Sequence, residues 1–299
     1  RCRIPTTRRI EEVATRRLAA KFYPMTDGSG DRSRLFGTSL GSSSGRLEDV
    51  QLLDTTLRDG EQAPGVSLTP TEKARIAQSL DAAGIDVIEA GSAVTGPGER
   101  ETISRVTDLD LDATVTSFAR GVEHDIDLAM DCGVDGINLV VPASDQHIED
   151  KVGTSHAENV EQTVQLVEYA KEHGLWVEVI GEDGSRADLD YLEELMGSAL
   201  AAGADRVCYA DTVGHATPDR TIEAVSRLAA LGPTSTHTHD DLGLAVTNVM
   251  ASLAAGADLV HGTINGIGER AGNVALEEVA IALDHGYGIE TMDLTQVYD

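Results

Sequence analysis

Four places in the chain, the third split over two short segments, collect side chains able to do polar chemistry. The first is Leu53-Asp54-Thr55-Thr56-Leu57-Arg58-Asp59-Gly60-Glu61-Gln62. Here Arg58 next to Asp59 can set a hard-metal ligand beside a fixed cation able to hold oxyanion charge. The second is Thr236-His237-Thr238-His239-Asp240-Asp241. Residues two apart on a strand face the same side, so His237 and His239 point one way together. Imidazole suits Mn, Fe, Co, Ni and Zn, and two same-face imidazoles plus a carboxylate form an open metal site. A single histidine would more often be a satisfied polar residue, and Arg58-Asp59 alone reads equally as a surface ion pair. The third comprises Gly181-Glu182-Asp183-Gly184 and Ala210-Asp211-Thr212-Val213-Gly214-His215. Glu182 in a partly enclosed mouth would have a raised pKa suited to proton transfer, and Thr212 offers a neutral donor to a substrate carboxylate. Either could instead cap a helix, and Asp211 reads as structural. The fourth, Asn265-Gly266-Ile267-Gly268-Glu269-Arg270-Ala271-Gly272-Asn273, could bring backbone N–H groups to an anion or simply turn the chain into a last helix.

These segments need a frame that brings them together. From Val50 onward, short apolar runs alternate with stretches of helical period. The runs are Val50–Asp54, Asp86–Ala90, Ala113–Phe118, Gly136–Val141, Trp176–Ile180, Arg206–Ala210, Thr234–His239 and Leu259–Ile264. Helices are expected at Thr71–Ala83, Glu158–Glu172, Leu189–Ala202, Asp219–Leu231, Leu244–Ala255 and Val274–Asp284. Small-residue–Gly stops at Ala83-Gly84, Cys132-Gly133, Ala202-Gly203 and Ala255-Gly256 precede strands, as helix C-caps do. Strands alternating with helices imply a parallel sheet. Eight such units predict a TIM (β/α)8 barrel, whose chemistry gathers at the C-terminal ends of the strands, where all of these segments fall. No Gly-x-Gly-x-x-Gly follows the first strand, which counts against a dinucleotide-binding sheet.

Composition narrows the function classes. The 299 residues carry 51 Asp and Glu against 23 Lys and Arg, a formal charge of −28. Phosphate backbones would be repelled, so a nucleic-acid partner is not expected. No apolar run reaches the roughly 18 residues of a membrane span. Three cysteines (Cys2, Cys132, Cys208) make no disulfide framework, which suggests a reducing, cytoplasmic setting. Residues 1–46 stand apart, with ten Lys and Arg, four Asp and Glu, and Gly/Ser-rich stretches. They read as a poorly ordered extension ahead of a barrel over residues 47–299. The barrel region is then strongly acidic and holds three of the four lysines, Lys73, Lys151 and Lys171. Such a surface repels itself in dilute salt, which points to a salt-adapted, halophilic protein.

Taken together, LLDTTLRDGEQAPGVSLT, DVIEAGSA, GEDGSR, ADTVGHATP, HTHDDLGLA and NGIGERAGN resemble the sequence blocks of the alpha-isopropylmalate, homocitrate and citramalate synthases. These are acyl-CoA-dependent, Claisen-condensing TIM barrels related more distantly to hydroxymethylglutaryl-CoA lyase. The resemblance runs from about Leu47 to Asp299. It implies Asp59, His237 and His239 as metal ligands, with Asn273 near or on the metal. It implies a divalent metal (Mg, Mn, Zn or Co), acetyl-CoA and a 2-oxoacid as small-molecule partners, and a homodimer. Arg58 would polarise the acyl-CoA enolate or the keto oxygen, Glu182 would take part in proton transfer, Thr212 would bind the oxoacid carboxylate, and Gln62 would support metal-bound water or substrate.

The stretch Glu89–Glu101 looks most like archaeal citramalate synthases, which implies pyruvate as acceptor. Many isopropylmalate synthases carry Gly-Phe-Pro where this chain has Gly91-Ser92-Ala93, so 2-oxoisovalerate is the alternative. The lyases have a cysteine in the loop after the eighth strand, and Gly262–Asn273 contains none. A non-catalytic binding barrel would be expected to have lost its ligands, which are present. Members of the family usually continue into a linker with a His-x-x-Gly-Ile-His type segment and often a regulatory domain. No such segment occurs here, where the last histidine is His285. The resemblance therefore predicts that these 299 residues bind metal and oxoacid but turn over poorly.

Overall fold

In the computed structural model, which describes residues 50–297 and a short antiparallel pairing of Arg34–Leu35 with Thr38–Ser39, the eight apolar runs become eight parallel strands. They are β1 (Gln51–Asp54), β2 (Val87–Glu89), β3 (Thr114–Arg120), β4 (Gly136–Pro142), β5 (Trp176–Glu182), β6 (Arg206–Asp211), β7 (Thr234–Thr238) and β8 (Leu259–Gly262). Each pairs with its sequence neighbours, and β8 closes the ring by pairing Leu259–Gly262 with Gln51–Asp54. The fold is the expected TIM barrel. The reading of residues 1–46 as a poorly ordered extension lies outside the described residues, apart from that short pairing.

Eight helices alternate with the strands: α1 (Pro70–Ala82), α2 (Pro97–Thr107), α3 (Glu123–Asp131), α4 (His156–Glu172), α5 (Leu189–Ala201), α6 (Pro218–Ala229), α7 (Ala245–Ala255) and α8 (Leu276–Tyr287). Their starts are chemically marked. Thr69 and Glu72 form a capping box at α1, Ser155 and Glu158 form one at α4, and Asp188 and Thr217 cap α5 and α6. Helices α2 and α3 complete the eight strand–helix units, although the sequence reading gave neither of them bounds; they bury Thr102, Ile103 and Val106 in one and Asp125, Ile126 and Ala129 in the other.

The anticipated glycine stops do adopt the left-handed conformation at residues 84, 133, 203 and 256. Each opens a Gly-x-Asp unit, and the aspartates have a job the glycines do not reveal. Asp86, Asp135 and Asp205 each accept the backbone N–H of the neighbouring strand's start, from Leu52, Val115 and Val177, all at 2.8 Å. Asp258, the fourth, pairs with Arg206. These carboxylates satisfy donors at the lower rim and set the register of strand against strand.

Alternation along the strands separates two packed regions. Leu52, Ile88, Val179, Val207 and Val260 face the helices and join the main apolar core. Leu53, Val87 and Leu259 pack together within the barrel, as do Ile180, Cys208 and Ala210. Above Leu259 the interior turns polar. His261 Nε2 lies 2.9 Å from Glu178 Oε2, both fully buried, and Ser235 donates to Glu178 at 2.5 Å. Burial alone would push the Glu178 pKa up, but the imidazole beside it and the bonds from His261 and Ser235 hold it below the usual carboxylate range. This pair floors the mouth in which the site sits.

Candidate active site

His237 leaves β7 and His239 follows its end, as their spacing requires, and both rings are buried. Their Nε2 atoms stand 3.2 Å apart, and His237 Nε2 is 3.6 Å from Asp59 Oδ2. Asn273 donates from Nδ2 to Asp59 Oδ1 at 2.9 Å, and a backbone bridge sets Asn273 beside His239. Thus Asp59, the His237–His239 pair and Asn273, named from three distant places in the chain, meet in one cluster. The ligand atoms of Asp59, His237 and His239 lie within 4.8 Å of one another.

The cluster suits a divalent cation on its own chemistry. Two imidazole nitrogens face each other with at most one proton to share, while Nδ1 of both rings and Oδ1 of Asn273 have no hydrogen-bond partner. Burial lowers the pKa of His237 well below that of free histidine, with His239 adding to the effect, and burial lowers His239 as well. Both rings are then neutral, as ligands must be. Burial would raise Asp59, but the Arg58 guanidinium beside it and the bond from Asn273 hold Asp59 well below the usual range. The donor set of imidazole, carboxylate and amide oxygen matches Mn, Fe, Co or Zn.

A second buried trio, Glu178, Cys208 and His261, lies deeper. Burial pushes the Cys208 thiol well above its ordinary value, and Glu178 already has His261 and Ser235. It is the weaker candidate for a metal.

Arg58 is held on two sides. Nε donates to Glu89 Oε2 at 2.5 Å and Nη1 to Asp59 Oδ2 at 2.7 Å. Its guanidinium carbon lies 5.0 Å from the Phe118 ring centroid, which favours the cation electrostatically. Glu89, fully buried, is steadied by Asn138 Nδ2 at 2.8 Å. Glu89, Phe118 and Asn138 were missed in the sequence. Glu89 had a signal, since it is a lone carboxylate at the C-terminal end of an apolar run. Phe118 and Asn138 had none, as their roles exist only through Arg58 and Glu89.

The loop carrying Arg58 is pinned by Lys73, which is 1% exposed and pairs with Glu61 at 2.7 Å and Glu99 at 2.8 Å. Glu61 also accepts the Leu68 N–H at 2.8 Å, so the glutamate in this block is architectural. Gln62 sits exposed in the short 3-10 turn Gly60–Gln62, outside the cluster.

Thr212 Oγ1 accepts the Asp183 N–H at 2.9 Å, which leaves its own proton free to donate, as a carboxylate-binding hydroxyl would need. Its carbonyl is held by Arg270 Nη2 at 2.8 Å. Asp211 accepts the N–H groups of His215 and Ala216 and is structural, as expected. Glu182, at the end of β5, is partly buried, and both of its oxygens bind Lys151, a partner that the sequence did not reveal. In the glycine-rich loop the N–H groups of Gly266, Gly272 and Asn273 bind the carbonyls of Thr263, Glu269 and Gly266 and so are not offered to an anion.

That loop nevertheless touches the cluster. A Cβ on Gly268 would stand 2.3 Å from Asn273 Nδ2 and 3.3 Å from Asp59 Oδ1. The Gly268→Ala variant is expected to keep its circular dichroism spectrum but lose about 10–100-fold in affinity for a divalent metal, the usual cost of disturbing a ligand's support. Equilibrium dialysis against Mn(II) or Co(II) measures this, and parent-like affinity would detach Gly268 from the site.

Residues 49–299 match the HMGL-like family model. The chain belongs to the HMGL-like family. Over 244 residues it is 49% identical to the (R)-citramalate synthase CimA of Methanocaldococcus jannaschii, covering 81% of this chain and 50% of that protein. It is 53% identical over 252 residues to the CimA protein of Methanothermobacter thermautotrophicus, covering 84% and 51% respectively. This HMGL-like chain thus spans about half the length of the curated relatives it matches. Among solved structures, it superimposes on the HMG-CoA lyase of Brucella melitensis with a TM-score of 0.73 at 21% identity, covering 83% of this chain and 94% of that one. An HMG-CoA lyase from an Acinetobacter, in complex with coenzyme A and 3-methylmalate, gives a TM-score of 0.73 at 20% identity, with 85% and 90% covered. These two likenesses speak to the HMGL-like barrel fold.

Proposed function

We propose that residues 47–299 form the catalytic barrel of an acyl-CoA-dependent Claisen synthase that condenses acetyl-CoA with pyruvate to give (R)-citramalate. The observation that carries this reading is the buried Asp59–His237–His239 cluster with Arg58 fixed beside it. Similarity to (R)-citramalate synthases supports the choice of acceptor.

Asp59, His237 and His239 would hold a divalent metal, with Asn273 in support. Such an ion supplies Lewis acidity toward the oxoacid's ketone and carboxylate. Thr212 donates its free hydroxyl proton to the oxoacid carboxylate. Glu182 takes part in moving the proton that the acetyl methyl group gives up. The methyl carbon then bonds to C2 of pyruvate, the ketone oxygen gains a proton, and Arg58 compensates the negative charge on oxygen. Water cleaves the thioester, releasing coenzyme A and the free acid and making the sequence irreversible. Gln62 stands outside the cluster and is assigned to the rim that substrate crosses.

The alternative acceptor, 2-oxoisovalerate, differs from pyruvate by two methyl groups, each worth about 1–3 kcal/mol in a fitted pocket. Thiol release from acetyl-CoA should therefore show kcat/KM for pyruvate above that for 2-oxoisovalerate by about tenfold or more. A reversed preference would make this an isopropylmalate synthase.

The acidic surface of residues 47–299 supports a salt-adapted protein. Its melting temperature is expected to rise from dilute buffer into molar KCl, as screening removes self-repulsion. A flat or falling curve would remove that reading.

A further inference from the structure

Between β4 and α4 the chain makes one π-helical turn, Gln146–Val152, a rare conformation that tends to occur at functional sites. Its two basic side chains, His147 and Lys151, are four residues apart and converge on one target. Lys151 Nζ donates to both carboxylate oxygens of Glu182, each at 2.7 Å, and His147 Nδ1 approaches Oε2 to 3.1 Å without hydrogen-bond alignment. On its other side His147 Nε2 is 3.8 Å from Asp183 Oδ2. Asp183 is itself locked, with Ser144 donating to one oxygen at 2.5 Å and Arg186 to the other at 2.7 Å.

Stability does not account for this arrangement. The Lys151 side chain is 55% exposed, and exposed ion pairs of this kind contribute roughly 0–1 kcal/mol. Yet one of only four lysines in the chain is placed here, on a π-helical turn, against both oxygens of one carboxylate. A glutamate at a rim otherwise has free rotation about its side-chain bonds. Contacts to both oxygens fix the direction of the carboxylate plane.

We infer that His147 and Lys151 are positioning residues that hold the Glu182 carboxylate aimed over the barrel mouth. The inference rests on the proposed proton-transfer role of Glu182. Misplacing a reacting group by about 1 Å can cost on the order of a hundredfold, so the clamp should be legible in kcat.

The test uses Lys151→Met, Lys151→Arg, His147→Asn, Glu182→Gln and the Lys151→Met/Glu182→Gln double variant, assayed by thiol release with acetyl-CoA and pyruvate. Lys151→Met should lower kcat by about 10–100-fold, leaving KM for pyruvate and the melting temperature near parental values. His147→Asn should give a smaller loss of the same kind, and Lys151→Arg should recover most of kcat. In the Glu182→Gln background, Lys151→Met should add no further loss. If Lys151→Met keeps parental kcat while Glu182→Gln is crippled, the clamp is wrong and the role of Glu182 stands. If Glu182→Gln keeps parental kcat, the role of Glu182 falls and the clamp with it. A fall in melting temperature that matches the fall in kcat would make Lys151 merely structural and overturn the inference.

Discussion

Replacing His237 or His239 with alanine is expected to lower divalent-metal affinity by at least about a hundredfold, since each change removes a direct ligand rather than one of its supports. The expectation follows from geometry. Asp59, His237 and His239 supply three ligand atoms within 4.8 Å, and losing one leaves a two-point site. Metal content after dialysis measures it without any need for turnover. The deeper trio of Glu178, Cys208 and His261 provides the internal control. A Cys208→Ser variant should retain the parent's metal content. If both histidine variants bind as tightly as the parent while Cys208→Ser does not, the ion belongs to the deeper trio. Proton release sharpens the test. Because burial holds His237 and His239 below the ordinary histidine pKa and Arg58 holds Asp59 ionised, binding at pH 7 should displace few protons. The sign follows from linkage. A depressed histidine pKa means that the unfolded chain takes up protons before the folded one does, so the metal-free protein should lose stability as pH falls below about 6.5. Calorimetry in buffers of different ionisation enthalpy reads the proton count directly.

The barrel and the Asp59–His237–His239 cluster were both legible in the sequence, for different reasons. The barrel was readable because its repeating signals are local: an apolar run, a helical stretch, a glycine stop. Helices α2 and α3 were implied by the eightfold alternation, and the Cys132-Gly133 stop marked the end of α3, but their bounds were not read. The aspartates of the Gly-x-Asp units escaped because their partners are strands more than 19 residues away in each case, as with Asp135 and Val115. At the site, His237, His239 and Asp59 announced themselves by residue type, and strand ends placed them on one rim. Glu182 was found, but its surroundings were not. Its partners Lys151 and His147 arrive from a π-helical turn that no residue pattern marks. Lys73 shows the same limit from the other side. Nothing in its sequence neighbourhood marks it as buried, yet Glu61 and Glu99 converge on it in the interior.

The Arg58→Lys variant should keep its metal and lose its chemistry. Arg58 reaches Glu89 through Nε and Asp59 through Nη1, with the guanidinium plane near Phe118. A planar fork can hold both carboxylates and still direct its remaining N–H donors into the barrel mouth. A lysine ammonium is a single point that can satisfy Asp59 or Glu89, and its shorter reach leaves the developing oxyanion without a fixed donor. Losing one such donor costs about 10²–10³ in kcat, while metal content should stay near the parent value because no ligand has changed. The effect is a ratio to the parent, so it holds whatever the absolute rate of these 299 residues. Glu89→Gln separates orientation from charge. It keeps an acceptor for Arg58 Nε but removes the ion pair, and should give a smaller loss in kcat than Arg58→Lys, again with metal retained. Parental turnover in Arg58→Lys would remove Arg58 from the mechanism and leave its two carboxylate contacts as architecture. If both variants lost metal together with activity, Arg58 would belong to the support of Asp59, and stabilisation of the oxyanion would have to come from another group.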